Sequence, residues 1–206
     1  MIGLERVTYA FPGKTPICTD LTWTLPQTGV ICLRGASGSG KTTLLRLLAG
    51  LATPTAGRVI RPERVSVVFQ EDRLLPWCRL WENVALCPEV DENAARTALA
   101  EVGLTDLADR YPAEVSGGES RRAALARALA TPCDLMLLDE PFTGLDEETW
   151  RMIAQKICLR AETCPTVLVT HVPAEAEALG ATVFTLPPRP MSGNWNENPP
   201  KTLDIL

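Results

Sequence analysis

The chain has 206 residues, 46% of them hydrophobic, enough to bury one substantial core and a small subdomain but not two such cores. A net charge of -5, with arginines scattered among acids, leaves no basic stripe to track a phosphate backbone and argues against a nucleic-acid partner. Seven cysteines (Cys18, Cys32, Cys78, Cys87, Cys133, Cys158, Cys164) make no C-x-x-C pair or metal-ligand pattern, which suits a reducing cytoplasm, and no apolar run nears the ~18 residues that cross a bilayer.

In chain order, residues 2–8 and 21–25 read as strands around the turn Phe11-Pro12-Gly13-Lys14, a small β layer. The apolar stretch 29–33 is a further strand, leading into Gly35-Ala36-Ser37-Gly38-Ser39-Gly40-Lys41-Thr42 and a helical run from Thr43 to Ala49. This fits G-x-x-x-x-G-K-[ST] in the strand-to-helix context that the motif requires. Glycines let successive N–H groups point inward, and the helix N-terminus adds partial positive charge, so the loop predicts a phosphate cradle. Lys41 is expected to reach the β and γ phosphates and the Thr42 hydroxyl to sit on Mg²⁺.

Strands follow near 57–60 and 65–69, the second ending at Gln70, whose amide can reach both Mg²⁺ and an attacking water. Residues 73–115 change character: Trp81–Leu86, Glu92–Val102 and Asp106–Arg110 predict short helices parted by Pro88, Gly103 and Pro112, a helical subdomain inserted in the core. Val115-Ser116-Gly117-Gly118-Glu119 offers a hydroxyl and backbone N–H groups, a second phosphate grip, with a helix expected from Arg121 to Ala130 once the glycines end. The strand 134–138 delivers Asp139-Glu140 at its carboxyl end, where open α/β sheets bind ligands. Asp139 is expected to hold Mg²⁺ through its water shell and Glu140 to polarise the attacking water. Helix 146–162, strand 166–170, helix 174–180 and strand 181–186 complete the βαβ units. His171, the only histidine, follows the strand ending at Thr170. The proline-rich tail 187–206 has no periodic pattern, and no structure is expected of it.

These motifs, in order, resemble the ATP-binding subunit of ABC transporters: the phosphate loop through Thr43, the VFQEDRLLPW run around Gln70, the VSGGE signature, the strand ending in Asp139-Glu140-Pro141, the turn Thr143-Gly144-Leu145-Asp146, and VLVTH ending at His171. The resemblance runs from about residue 2 to 186. It implies an α/β fold with a P-loop NTPase core and mostly parallel sheet, an N-terminal antiparallel β layer and an inserted helical subdomain. The single cassette would divide into a core at 1–72 and 116–186, helices at 73–115 and the tail at 187–206.

By the same resemblance, Phe11 stacks on adenine, although a phenylalanine beside a Pro-Gly turn is also an ordinary packing residue. Ser116, Gly117, Gly118 and Glu119 meet the γ-phosphate of a facing subunit, and Asp146 bridges the two. Glu140, His171 and Gln70 are the catalytic set, with Thr42, Gln70 and Asp139 around the metal. Ligands are ATP and Mg²⁺; partners are transmembrane permease subunits, a second ATP-binding subunit, and a solute-binding protein acting through the permease. Leu74-Leu75-Pro76-Trp77 is expected to be exposed, with Trp77 and Trp81 as anchor candidates for a permease helix. The amino terminus does not read as a signal peptide, so the protein would sit peripherally on the cytoplasmic face of the membrane.

Glu119 stands where the family favours glutamine, Val115 where it favours leucine, and Val172 follows His171 where aspartate is common. Glu119 would bring a carboxylate near nucleotide. The LLPW run and the Pro-Arg-Pro of the tail are similar to importers of nitrate, sulfonates or taurine. Chromosome and repair ATPases share the motifs but carry a long coiled coil between the glutamine and the signature, and no sustained heptads occur here. An exporter subunit and a cassette that binds without turnover are the remaining alternatives.

Overall fold

The computed structural model describes residues 1–187, 189–197, 199, and the backbone of 202–203. Ten strands and six helices are found among the described residues. β1 (Gly3–Tyr9), β2 (Cys18–Thr24) and β3 (Val30–Arg34) lead to α1 (Lys41–Leu48), β4 (Ala56–Ile60) and β5 (Val65–Val68). Three helices follow: α2 (Leu80–Val84), α3 (Glu92–Glu101) and α4 (Gly117–Ala130). Then come β6 (Leu135–Asp139), α5 (Glu147–Ala161), β7 (Thr166–Val169), α6 (Pro173–Ala178), β8 (Thr182–Thr185), β9 (Met191–Asn194) and β10 (Thr202–Leu203).

One sheet has the order β10-β8-β3-β7-β6-β5, parallel except for β10 at its edge. Its inner strands are continuous apolar runs because helices cover both faces; every residue of β6 and β7 is buried. The phosphate loop, Gln70, Asp139-Glu140 and His171 all follow carboxyl ends of these strands. A second sheet, β4-β1-β2-β9, packs over α1 and the other face.

Two differences from expectation lie here. The small layer is not purely antiparallel: β9 adds to β2 in parallel. That strand comes from the proline-rich segment for which no structure was expected. Met191 and Trp195 are buried at its ends, and Trp195 meets Trp23 edge-on at 5.6 Å. Two large apolar side chains four residues apart anchor the strand, and the surrounding prolines and asparagines mask so short a pattern. The rest of the tail, at 188, 198, 200–201 and 204–206, lies outside the described residues.

The segment 73–115 folds as α2, α3 and two 3-10 turns at Thr105–Leu107 and Pro112–Glu114. Its buried side chains, Leu80, Val84, Leu99, Val102 and Leu104, share one hydrophobic cluster with Val68, Met136 and Leu168 of the parallel sheet. Buried Asn83 clamps the preceding loop: its Oδ1 accepts from the Leu75 N–H at 2.7 Å, and its Nδ2 donates to the carbonyls of Leu75, Cys78 and Arg79 at 3.0–3.1 Å. A satisfied buried amide of this kind sets loop shape, so Leu74–Trp77 is held rather than free. Trp77 stands 72% exposed, while Trp81 packs into the cluster; of the two anchor candidates, only Trp77 faces outward.

Candidate functional site

The phosphate loop owes its path to Gly40. This residue caps α1 at φ 109°, and a Cβ there would lie 2.6 Å from Ile17 and 2.9 Å from Met191. Only glycine accepts both that backbone and that approach. The loop borders a cleft of about 350 Å³ to which four further chain segments contribute: Gln70 after β5, Asp139 and Glu140 after β6, His171 after β7 and Arg189 after β8.

Lys41 is buried, and its ammonium donates to the carbonyls of Gly35 at 2.8 Å and Ala36 at 3.1 Å. The cation is thus held across its own loop with donor capacity for one more oxygen. Nearby, the Ser39 hydroxyl oxygen is buried without a hydrogen-bond partner among the described residues.

Asp139 is buried beside Lys41 and Thr42. Burial pushes its carboxyl above the usual range, while the Thr42 hydroxyl, Lys41 and Arg121 pull it down. Glu140 adopts φ 49°, a left-handed conformation that costs a non-glycine residue about 1–3 kcal/mol. Its N–H donates to the Val169 carbonyl at 2.9 Å, and its carboxylate lies 3.2 Å from His171 Nε2. Desolvation raises its pKa first; His171 opposes, and the like charge of Asp139 adds to the rise. A carboxylate less solvated than usual, facing an imidazole across a cleft, has the character of a general base.

Two features behind this edge escaped sequence reasoning. Arg121, 3% exposed, sends its guanidinium to the carbonyls of Phe69, Asp139, Glu140 and Pro141 and to Asp72 Oδ1. It ties the end of β5 to the end of β6, fixing Gln70 relative to Asp139-Glu140. An arginine within an alanine- and leucine-rich helix, where a cation would otherwise seek water, was the available signal. The second is Arg189, which lines the cleft opposite Gly38 from a segment read as structureless.

The turn carrying His171 is held by Thr170, whose hydroxyl donates to the buried carboxylate of Glu175 and accepts from the Val172 N–H at 3.1 Å. Val172 and Pro173 then start α6, so the departure from the family pattern after His171 supplies a helix start.

The signature lies elsewhere. Helix α4 begins at Gly117, with Ser116 as N-cap, rather than after the glycines as expected. Ser116 and Glu119 form a reciprocal capping box: Glu119 Oε2 accepts from the Ser116 N–H at 2.7 Å and from its hydroxyl at 2.8 Å, and Ser116 Oγ accepts from the Glu119 N–H at 3.3 Å. S-x-x-E is itself a sequence signature of a helix start, and here it sets where α4 begins. Gly118 lies against the Gly144 carbonyl. Asp146 caps α5, accepting from the Thr149 N–H at 2.9 Å and hydroxyl at 2.7 Å. None of Ser116–Glu119 or Asp146 lines the cleft, and neither does Phe11, which is 38% exposed and stacks edge-on with Tyr9 at 5.3 Å. A single chain therefore brings together the phosphate loop, Gln70, Asp139, Glu140 and His171, and leaves the signature outside.

Comparison with known proteins shows the family to which such a chain belongs. Residues 18–143 match the family described as ABC transporter. The chain is 45% identical over 191 residues to the aliphatic sulfonates import ATP-binding protein SsuB of Granulibacter bethesdensis, covering 90% of this chain and 79% of that one. It is 52% identical over 160 residues to an aliphatic sulfonates import ATP-binding protein SsuB of Paraburkholderia xenovorans, covering 76% of this chain and 65% of that one. Among solved structures, the ATP-binding cassette MJ0796, dimeric and bound to ADP and Pi in a post-hydrolysis state, superposes with a TM-score of 0.83 at 26% identity, covering 100% of this chain and 99% of that one. With strand order, phosphate loop and relatives in agreement, the chain belongs to the ABC transporter family, as one of its ATP-binding cassettes.

Proposed function

We propose that this protein binds and hydrolyses ATP and uses the cycle to drive import of a small solute, of the aliphatic sulfonate type, through membrane-spanning partner subunits. The observation that carries the reading is the Glu140–His171 pair, 3.2 Å apart, facing the loop that holds Lys41. Loop N–H groups, Lys41 and Arg189 supply positive charge for a triphosphate. Glu140 accepts a proton from the attacking water, and His171 orients both water and γ-phosphate. Gln70 closes the cleft from the neighbouring strand end.

The donor chemistry fits Mg²⁺. Thr42, Gln70 and Asp139 line the cleft together, all offering oxygen donors, and no group of three or more His, Cys, Asp or Glu residues that could hold a metal occurs among the described residues. Mg²⁺ is commonly held by one or two protein ligands, substrate phosphates and water, and when bound it neutralises phosphate charge. Thr42 and Asp139 would hold it.

Because the signature lies outside the cleft of its own chain, a second cassette is proposed to present Ser116–Gly118 to the γ-phosphate, with Asp146 at the seam. Closure on ATP and release after hydrolysis then give a mechanical output, since the closed pair distinguishes ATP from ADP. Exposed Trp77, on its clamped loop, is the proposed contact for the membrane subunit; among the described residues no helix is long and apolar enough to cross a membrane. On the strength of its importer relatives, the cytoplasmic face of the membrane is the location proposed for the chain. The test is E140Q, expected to lower turnover by on the order of 10²–10⁴-fold while leaving ATP binding intact. Turnover at the wild-type rate would remove Glu140 from the role.

A further inference from the structure

The edge of the parallel sheet opposite the cleft holds chemistry that hydrolysis does not use. Cys133 lies two residues before β6 and Cys164 two residues before β7, and these strands are parallel neighbours. The register brings the two Sγ atoms to 3.7 Å, the contact distance of unbonded thiols. Arg160, in the last turn of α5, places Nη2 at 3.6 Å from Cys133 Sγ while donating to the carbonyls of Thr131 at 3.3 Å and Cys133 at 3.5 Å. Its Nε is buried with no hydrogen-bond partner among the described residues.

The pair is asymmetric. Cys133 is 7% exposed and Cys164 1%, so the sulfur beside the cation is also the outer one. Asp134, the nearest carboxylate in sequence, is committed to Arg64 at 2.7 and 3.1 Å. Two thiols packed as small hydrophobes would account for the contact but not for a guanidinium aimed at one of them. The hydrogen bond to Cys164 and the Arg160 guanidinium hold the Cys133 thiol below its usual range, as a neighbouring cation does for an attacking thiolate.

We propose that Cys133 and Cys164 form a redox-reactive pair, with Cys133 as the attacking thiolate, a small hydroperoxide as oxidant and an internal disulfide joining the roots of β6 and β7 as product. In the first step the Cys133 thiolate attacks a peroxide oxygen; an S–O bond forms, the O–O bond breaks, and hydroxide leaves and is protonated by solvent. In the second the Cys164 sulfur attacks the Cys133 sulfenic sulfur; the S–S bond forms, the S–O bond breaks, and water leaves with the Cys164 proton. Two thiols and one hydrogen peroxide thus give a disulfide and two molecules of water; with an alkyl hydroperoxide the group that leaves in the first step is the alkoxide, and the products are a disulfide, one alcohol and one water. A dithiol reductant reverses it, as expected of a transient disulfide in a reducing compartment. The loop so closed, residues 133–164, contains Asp139, Glu140 and Asp146, so the bond ties together the strands that present Glu140 and His171.

The test is peptide mapping of the full chain after brief hydrogen peroxide treatment and alkylation in denaturant. The expected result is a Cys133–Cys164 peptide that forms at least about tenfold faster than oxidation at Cys78, Cys87 or Cys158, as low-pKa thiols do. C164S should instead trap Cys133 as a dione-reactive sulfenic acid. R160Q should slow the reaction and R160K restore it, which packing alone would not do. The proposal is overturned if Cys133 and Cys164 stay fully alkylatable while the more exposed cysteines oxidise, or if R160Q reacts at the wild-type rate.

Discussion

The cleft and the signature rim use polar residues in opposite ways. In the cleft, Lys41 and Asp139 are buried, Glu140 sits at φ 49°, and the pKa values of both carboxyls are raised by desolvation. These residues are held in costly states and retain unused valence. Along the rim, Ser116, Glu119 and Asp146 are satisfied within their own helices by capping bonds of 2.7–3.3 Å. The strained region is prepared for ligand within one chain, whereas the relaxed one costs the fold nothing until a partner surface arrives.

That contrast can be broken from the cleft side first. R121M would leave the carbonyls of Phe69, Asp139, Glu140 and Pro141 without their shared donor and Asp72 without its cation. A loss of about 3–5 kcal/mol is expected, the scale of a broken buried ion pair, read as a lower denaturant midpoint together with lost turnover. A midpoint within error of wild type would show that the edge of β6 needs no such support. On the rim, S116A should cost less, about 0.5–2 kcal/mol for the lost cap. Because Ser116 lies outside the cleft, ATP binding to the isolated chain should be unchanged while turnover falls. Weaker binding to the isolated chain would place Ser116 in the same-chain site and erase the distinction.

The smallest effect is expected at Glu175, whose carboxyl is raised by burial and held by Thr170. A carboxyl whose folded pKa exceeds its unfolded one favours folding most below the unfolded value, about 4.3, and that contribution is lost as pH rises through the folded value. E175Q keeps an acceptor for Thr170 without the charge. It should be slightly more stable than wild type at neutral pH, with a flatter stability profile through the weakly acidic range. An unchanged profile would mean that the carboxylate is solvated.

Much of this was legible in sequence where a local pattern meets an obligatory backbone requirement. The phosphate loop, the apolar run of β6 ending in Asp139-Glu140 and the strand before His171 each pair a periodicity with a chemical terminus, and each stands at the expected sheet edge. The reading fell short where tertiary contacts decide. β9 forms because Met191 and Trp195 find the hydrophobic cluster around Trp23, a pairing separated by most of the chain. Arg121 and Arg189 acquire their positions from strand ends that local sequence cannot bring together. At Glu119 the shortfall concerns the helix start alone: the capping box is present in the letters, and α4 begins at Gly117 rather than Arg121.

The central claim is that hydrolysis needs the cleft of one cassette closed by the rim of another. Its most direct test is the specific ATPase activity of the isolated chain, with saturating ATP and Mg²⁺, across a dilution series spanning its association equilibrium followed by light scattering. The account predicts that activity per chain falls with dilution in step with loss of the dimer. Constant activity per chain in solutions that scatter as monomer would contradict it.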